Sequence, residues 1–463
     1  MPIWAVVPSS TNMNKQQQLA SLGLFDAKVP RYTSYPTAPH FSNDVDPNKF
    51  GQWIKAIPQG SEISLYLHVP FCRRLCWFCA CRTQGTTSVE PVKAYLETLK
   101  QELRILRNKL PADVSLSRLH WGGGTPTLMS ADMMTELANA VLEVAPLSEN
   151  AEFSVEIDPN EIDDSRLDAL AAAGMNRASV GIQDFNEEIQ ATIGRMQSYE
   201  ITRSAIEKIR ARGIHSLNAD ILYGLPNQTN ERITESVQKL LSLSPDRVAL
   251  YGYAHVPWMA RRQNMIPSDQ LPTPQERLQL FETARKLFTW DGYSEIGIDH
   301  FALKGDGLET AQTAGKLRRN FQGYTDDQAN VLIGVGASSI SRFPQGFAQN
   351  DASTSKHTGA IRNGQFSTTR GHSFSKDDRL RGRIIEALMC DFKVSASEIV
   401  RDFDITSTKL RAYFDDVNRA FDGLLKVSDE MLFIPEAVRP LTRIIARHFD
   451  AYDMAWAKHS SAI

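Results

Sequence analysis

A chain of 463 residues with net charge -3 and pI about 6.4 has room for two or three cored domains and offers no basic field to nucleic acid or an anionic membrane. Its 42% hydrophobic content is that of an ordinary globular protein, and no run approaches the ~20 apolar residues of a membrane helix. Five cysteines, four of them between Cys72 and Cys81, do not form a disulfide framework and point to the reducing cytoplasm.

The opening "MPIWAVVPSSTNMNKQQQ" has a short apolar patch between prolines and no cationic lead-in, so neither signal peptide nor anchor is expected. "RYTSYPT" reads as an ordered arm. The first strand-like run, "ISLYLHV" (63–69), leads into "CRRLCWFCAC" and then into the helical pattern "PVKAYLETLKQELRILRNKL". "LSRLHW" (116–121) follows, then "GGGTPT" and "SADMMTELANAVLEV", which Ser130 can cap. Further strand-like runs lie at 152–157, 176–182, 216–224 and 246–254. Six alternations of strand and helix predict an α/β fold with a parallel sheet, closed or nearly closed as a barrel.

After about residue 370 the pattern changes to helices followed by a short strand pair, which resembles a winged helix. Its helix charges are mixed, without a basic stripe, so a support for the pocket is expected rather than a nucleic-acid reader. The domain reading is an arm and lead-in (1–55), a barrel with an extension (56–348), a polar linker (349–376) and a helical domain (377–463).

Cys72, Cys76 and Cys79 follow the spacing Cys-x3-Cys-x2-Cys, with Cys81 just beyond. Zinc usually takes two Cys/His pairs across a longer finger, and no second pair follows. Three thiolates in one tight loop suit an iron–sulfur cluster, whose irons each take one protein sulfur.

In a parallel barrel, chemistry gathers at the C-terminal ends of the strands. The cysteine loop, Gly122–Thr127, Glu156, Gln183, Asp220 and Tyr253–Pro257 fall on or near those ends. Each has an ordinary reading. Three glycines can be a tight turn or a close approach to a ligand. Glu156 and Asp220 need partners in apolar strands, whether protein groups or ribose hydroxyls. Gln183 can cap a turn, and Arg195 can be a solvated helix residue or a carboxylate clamp. Their convergence on one rim favours a site.

The cysteine spacing, with Phe78 before the last ligand, resembles the radical SAM signature. Longer stretches, "PRYTSYPTAPHF", "HWGGGTPTLM", "SVEIDPNE", "GIQDFN", "YGLPNQT", "EIGIDHFA" and "RRNFQGYTD", resemble the oxygen-independent coproporphyrinogen III oxidase (coproporphyrinogen III dehydrogenase) family from about Pro30 to the C-terminus. The resemblance implies a radical SAM partial (β/α)6 barrel with an N-terminal arm and a mostly helical, winged-helix-like C-terminal domain. It implies oxidative decarboxylation of two propionates of coproporphyrinogen III to vinyls, giving protoporphyrinogen IX in anaerobic haem (porphyrin) biosynthesis. A [4Fe-4S] cluster on Cys72, Cys76 and Cys79 and two molecules of S-adenosyl-L-methionine (SAM) are implied as cofactors. Tyr66, Phe78, Gly123, Glu156 and Ile340 would frame the first SAM. Gly124, Thr125, Gln183, Arg195, Asp220 and Ala254 would frame the second. Cys81 matches a family cysteine that is not a ligand and can serve turnover or packing. Cys390 reads as core.

Arg31 on the arm, with Arg318 or Arg319, can pair with substrate carboxylates. The expected partners are the tetrapyrrole and an unidentified electron donor and acceptor, the expected state a monomer without a membrane span. Ala80 and Ala219 depart from the family's usual glycine and larger aliphatic residue without removing a ligand. A haem-binding chaperone and a redox-sensing regulator are the rivals, with a haem-degrading radical methyltransferase relative more distant. Cys81 and the Arg31 arm argue against the chaperone, and two sets of rim residues argue against the regulator.

Overall fold

The computed structural model describes residues 15–452 and residue 462. The stretch up to residue 14, where neither leader nor anchor is expected, and residues 453–461 and 463 lie outside the described residues.

Strands β1 (Glu62–Val69), β2 (Ser115–Gly123), β3 (Leu147–Ile157), β4 (Arg177–Gln183), β5 (Ser216–Tyr223) and β6 (Arg247–Gly252) lie side by side in chain order, each parallel to the next. Helices Glu90–Arg107, Ala131–Val144, Asp164–Ala172, Tyr199–Arg210 and Asn230–Ser242 make the crossovers. Polar side chains start most of them. Ser130 accepts from the Met133 N–H, and Asp163, Ser198 and Thr229 act likewise. The expected strands agree with these to within a few residues, except that β3 begins at Leu147. Its polar outer end pairs with β2 there, which apolar patterning cannot detect.

Alternation along each strand divides the sheet into two faces. Leu65, Leu67, Leu119, Trp121, Phe153, Val155, Val180, Ile221 and Leu250 are at most 2% exposed and pack beneath the helices as one core. The opposite face is polar. Near its lower end Arg118 pairs with Glu152 and Asp326, Arg177 with Glu152 and Arg247 with Asp306. Burial opposes the Glu152 charge, but Arg177, Arg118 and Arg247 hold its carboxyl at about 2.

The barrel stays open. Beyond β6 the sheet continues antiparallel through β8 (His300–Ala302) to β7 (Ser294–Ile296). Beyond β1 it continues through parallel β9 (Leu332–Val335) to antiparallel β10 (Ile340–Phe343), β11 (Gly346–Asn350) and β12 (Thr368–Ser373). The segment 349–376, expected as a linker, thus completes the sheet and carries helix Thr354–Arg362. Its polar composition belongs to an edge, while Ile361, Phe366 and His357 are buried.

The C-terminal region packs helices Lys376–Asp391, Ala396–Asp402 and Ser407–Ala420 beside three short antiparallel strands. Lys393–Ser395 adds a third strand to the expected pair. Cys390 is fully buried. Leu19, Leu24, Tyr32 and Tyr35 of the arm join this region's core. Tyr32 donates to Asp450 at 3.0 Å, and Arg443 donates to the Pro30 carbonyl at 3.0 Å. The arm therefore ties the helical region to the barrel, where Arg31 donates to the Gly252 carbonyl at 2.7 Å. Among the described residues no helix is long and apolar enough to cross a membrane.

Candidate active site

Strand register aligns the polar face in rows. Tyr66 pairs with His120, His120 with Ser154, and Asp220 with Ala249. Tyr66 stacks on His120 at 5.7 Å, and its hydroxyl meets His68 Nδ1 at 2.9 Å. His120 lies between Ser154 and Glu156, and the Gly123 N–H donates to Glu156 at 2.9 Å.

Two inner-face carboxyls behave oppositely. Burial would raise Glu156, but His120 and the Gly123 N–H outweigh it and hold the group below its usual range. Burial, with the Glu156 charge adding to it, pushes Asp220 up to about 7 against the Asn218 amide and the more distant His120 and Arg195. An unfolded aspartate titrates near 3.9, so from about pH 4 to about 7 the folded chain holds the extra proton and loses stability as pH rises. In the ligand-free protein, Asp220→Asn is expected to match wild type in Tm near pH 4 and to exceed it increasingly towards pH 8. A pH-independent Tm difference would contradict this.

The cysteine loop is gripped on several sides. The Gln84 and Thr86 N–H groups bond the Pro70 and Cys72 carbonyls at 2.8 and 3.0 Å. The Trp77 N–H bonds the Ile193 carbonyl at 2.9 Å. Gln263 donates to the Phe78 carbonyl at 2.7 Å and to that of Ala254 at 3.0 Å, joining the loop to the chain after β6. Arg262 donates to the Cys81 carbonyl at 3.0 Å. The Phe78 ring packs against the apolar cluster formed by Ile189, Ile193, Leu222, Leu225, Tyr253 and Ile266.

Behind the loop, two glycines are required by the protein's own packing. A Cβ on Gly124 would stand 2.5 Å from the Phe71 carbonyl oxygen, and one on Gly123, at φ +111°, would stand 2.5 Å from His68 Nδ1. The ordinary reading of this turn therefore suffices for these glycines, and the turn seats the cysteine loop. The Gly124 and Thr125 N–H groups bond Val69 and Phe71.

All five cysteines are free thiols. Cys76 is buried, Cys72 and Cys79 are half-buried and Cys81 is exposed at the surface, although Cys79 and neighbouring acidic groups crowd its thiol. Burial pushes Cys72 up to about 11, with the Cys79 and Cys76 charges adding to it. Hydrogen bonding from Cys81, with Arg262 and Arg195 nearby, draws Cys79 down to about 6, so Cys81 keeps the proton the pair shares. The three thiols sense one another's charge. Among the described residues, however, no three His, Cys, Asp or Glu side chains converge on a single metal ion. Three thiols within one short loop suit an iron–sulfur cluster, whose irons each take one protein sulfur.

Arg195 supports the same assignment. Its side chain is 11% exposed, with Nη1 3.6 Å from Cys76 Sγ and 3.5 Å from Asp158, while its buried Nε has no hydrogen-bond partner. A guanidinium held there can offset the negative charge of a thiolate-bound cluster. Gln183 sits at φ +72° near Arg195, both close to Gly181. Such a conformation is uncommon outside glycine. Ile340 approaches across β9, where Gly334 pairs with Tyr66 and lies against the Ile340 carbonyl.

Beside Gly252 and Ala254 opens a cavity of about 750 Å³, within the usual span of small-molecule sites. Arg31, Arg277, Arg319 and Arg443 line it with Asp299. Burial opposes the Asp299 charge, yet Arg319, His300 and Arg31 hold it at about 2. Burial and the Arg31 charge disfavour the charged forms of Arg443 and Arg277. Arg318 points elsewhere, into a second cavity of about 440 Å³, and Arg319 borders both.

The radical SAM superfamily model matches residues 66–240. An oxygen-independent coproporphyrinogen III oxidase of Paracoccus denitrificans is 65% identical over 97% of this chain and 100% of its own. The chain belongs to the oxygen-independent coproporphyrinogen III oxidase family. A member from Cereibacter sphaeroides is 59% identical over 94% of this chain and 97% of its own. The solved structure of coproporphyrinogen III oxidase from Escherichia coli, described as a radical SAM enzyme, superposes with a TM-score of 0.87 at 35% identity, covering 92% of this chain and all of that one.

Membership brings the [4Fe-4S] cluster and SAM as cofactors, and the three thiols with Arg195 fit the cluster. Ala80 is exposed and Ala219 lies under the helices, so neither departure alters the thiol set. Sequence reasoning passed over His120, Gln263, Arg262, Arg277, Arg443 and Asp299. His120 was findable, because it alternates with buried Leu119 and Trp121 and so must face inward with Glu156. The others lie on loops, helices and strand ends whose packing has no local pattern.

Proposed function

We propose that this chain removes the carboxyl groups of two propionates of coproporphyrinogen III, leaving vinyl groups, with Cys72, Cys76 and Cys79 holding the cluster. The observation that carries the substrate is the gathering of Arg31, Arg277, Arg319 and Arg443 in a rim cavity whose lining holds six arginines and a lysine against four carboxylates. Arg277 and Arg443, whose charge burial and the Arg31 charge disfavour, gain most from an incoming polycarboxylate. When bound, the cluster and SAM supply a carbon radical able to take a hydrogen atom from an unactivated C–H bond.

The protein's residues bind and orient. Tyr66, Phe78, Gly123, Glu156 and Ile340 would frame one SAM. Glu156, kept ionised, is an acceptor for hydroxyl or ammonium donors. Gly124, Thr125, Gln183, Arg195, Asp220 and Ala254 would frame a second. Cys81 would act as a thiol beside the cluster rather than as a ligand. Five free thiols and such a cluster favour the reducing cytoplasm.

Coproporphyrinogen III carrying deuterium on the propionate β-carbons tests the reaction. The 5′-deoxyadenosine released during anaerobic turnover should carry deuterium; unlabelled product would refute hydrogen abstraction there. Arg319→Met is expected to raise KM for the tetrapyrrole ~10-fold or more with a smaller effect on kcat, since a buried charge-assisted partner is lost. Arg318→Met should change KM little, and equal effects would remove Arg319 from the binding set.

A further inference from the structure

A cavity that receives a tetracarboxylate carries one costly feature, an ionised carboxylate of its own among the arginines. We propose that Asp299 is the acceptor for the pyrrole N–H groups of the bound tetrapyrrole, and so selects the reduced ring, the porphyrinogen, over the oxidised porphyrin with the same side chains. The inference rests on the rim cavity being the tetrapyrrole site.

The carboxylates of the lining fall into two groups. Glu282, Glu295 and Glu436 share the Arg285 guanidinium. Asp299 stands apart, in the turn between β7 and β8. Its carbonyl accepts from the Leu250 N–H on β6 at 2.8 Å, and the Tyr324 hydroxyl accepts from the Ile298 N–H before it at 3.0 Å. The turn is therefore fixed on both sides. The Asp299 side chain is 16% exposed, against 72% for Glu436. Oδ1 accepts from His300 Nδ1 at 2.6 Å, and the His300 ring lies edge-on to Tyr251 and Tyr324 at 5.4 and 5.1 Å. Oδ2 lies 3.7 Å from Arg319 Nη2, beyond hydrogen-bond reach, and keeps its lone pairs for a further donor. Arg319 Nε and Nη1 are buried with no hydrogen-bond partner among the described residues. Acceptor and donors thus stand side by side, which suits a ligand carrying N–H groups and carboxylates together.

Arg319, His300 and Arg31 keep Asp299 ionised, so it can only accept. Towards carboxylates alone it would only repel. A porphyrinogen also brings four pyrrole N–H donors, and its saturated bridging carbons let the rings tilt until several N–H bonds point to one side. Charge-assisted bonds to a fixed carboxylate then offset the repulsion. The porphyrin is flat and rigid, and two of its ring nitrogens are imines whose lone pairs would face the carboxylate. Specificity of this kind comes as much from what the wrong ring leaves unpaired as from what the right one gains.

The test uses anaerobic, cluster-loaded protein, with coproporphyrin III followed by its own fluorescence and coproporphyrinogen III displacing it. Wild type should bind the porphyrinogen at least ~10-fold more tightly than the porphyrin. Asp299→Asn, which keeps the shape, should lose ~10-fold or more in porphyrinogen affinity. Its porphyrin affinity should stay level or rise, since the amide can donate to an imine nitrogen. Arg319→Met should weaken both rings alike, because both present the same carboxylates. Equal binding of the two rings by wild type, a result that needs no variant, would overturn the proposal. So would an Asp299→Asn protein that keeps the wild-type preference, or that weakens equally on both rings, which is the mark of a purely structural carboxylate. Wild-type binding of both rings by Arg319→Met would take the tetrapyrrole out of this cavity altogether, and the role of Asp299 with it.

Discussion

Cys76→Ala is expected to leave the reconstituted protein nearly free of iron and to lower SAM cleavage by more than about 100-fold, beyond the usual cost of losing a supporting group around a metal. Cys76 is the buried member of the three thiols, and the Arg195 guanidinium faces its sulfur at 3.6 Å. Removing that sulfur would take away a proposed ligand and leave the Arg195 charge to Asp158 alone. Cys81→Ser is the informative contrast. Cys81 is the exposed thiol, and its N–H donates to Cys79 Sγ at 3.4 Å through the backbone, which serine preserves. That variant should keep its full iron. Iron loss in Cys81→Ser, or iron retention in Cys76→Ala, would mean that the ligand set is wrong. Iron analysis and the cluster's visible absorbance read both.

Gly124→Ala should destabilise the ligand-free protein by about 3 kcal/mol or more, since the neighbour its methyl would strike cannot rotate away. That neighbour is the Phe71 carbonyl, itself bonded by the Thr125 N–H at 2.7 Å, so relief requires β1 and β2 to separate at the rim. Gly213→Ala is the comparison. Nothing lies within 4 Å of a Cβ there, and only the left-handed backbone opposes the change, at about 1 kcal/mol. Urea unfolding distinguishes them. Equal losses would mean that the approach of Phe71 to Gly124 does not constrain the rim.

The barrel was readable because its six inner strands repeat one physical pattern, an apolar face under helices and a polar face opposite. The edge was not. Residues 349–376 look like a linker because edge strands keep polar faces, and what betrays them as sheet is long-range pairing such as Phe347 with His372. Within the site, sequence gives candidates but not their states. Glu152 and Glu156 lie four residues apart on one face of β3 and look alike in "EFSVEI". Three guanidiniums make the first part of an ion network below the rim, while a histidine and a glycine N–H leave the second at the rim. Asp220 differs again because no cation bonds it directly. Arg318 and Arg319 were equivalent as text, and both border the second cavity, but only Arg319 also reaches the arginine-rich one. The arginine-rich cavity was hidden for the same reason. Arg31, Arg277, Arg319 and Arg443 come from an arm, a helix, a hairpin and the C-terminal region, and only the fold assembles them.

The central claim is that this chain converts propionates to vinyls. It is tested most directly by the mass of the tetrapyrrole after anaerobic incubation of cluster-loaded protein with coproporphyrinogen III, SAM, reductant and cell extract as a source of electron acceptor. Two successive losses, each of one carbon dioxide and two hydrogens and each matched by one 5′-deoxyadenosine, are the predicted result. SAM cleavage with the tetrapyrrole unchanged, together with tight haem binding, would contradict it.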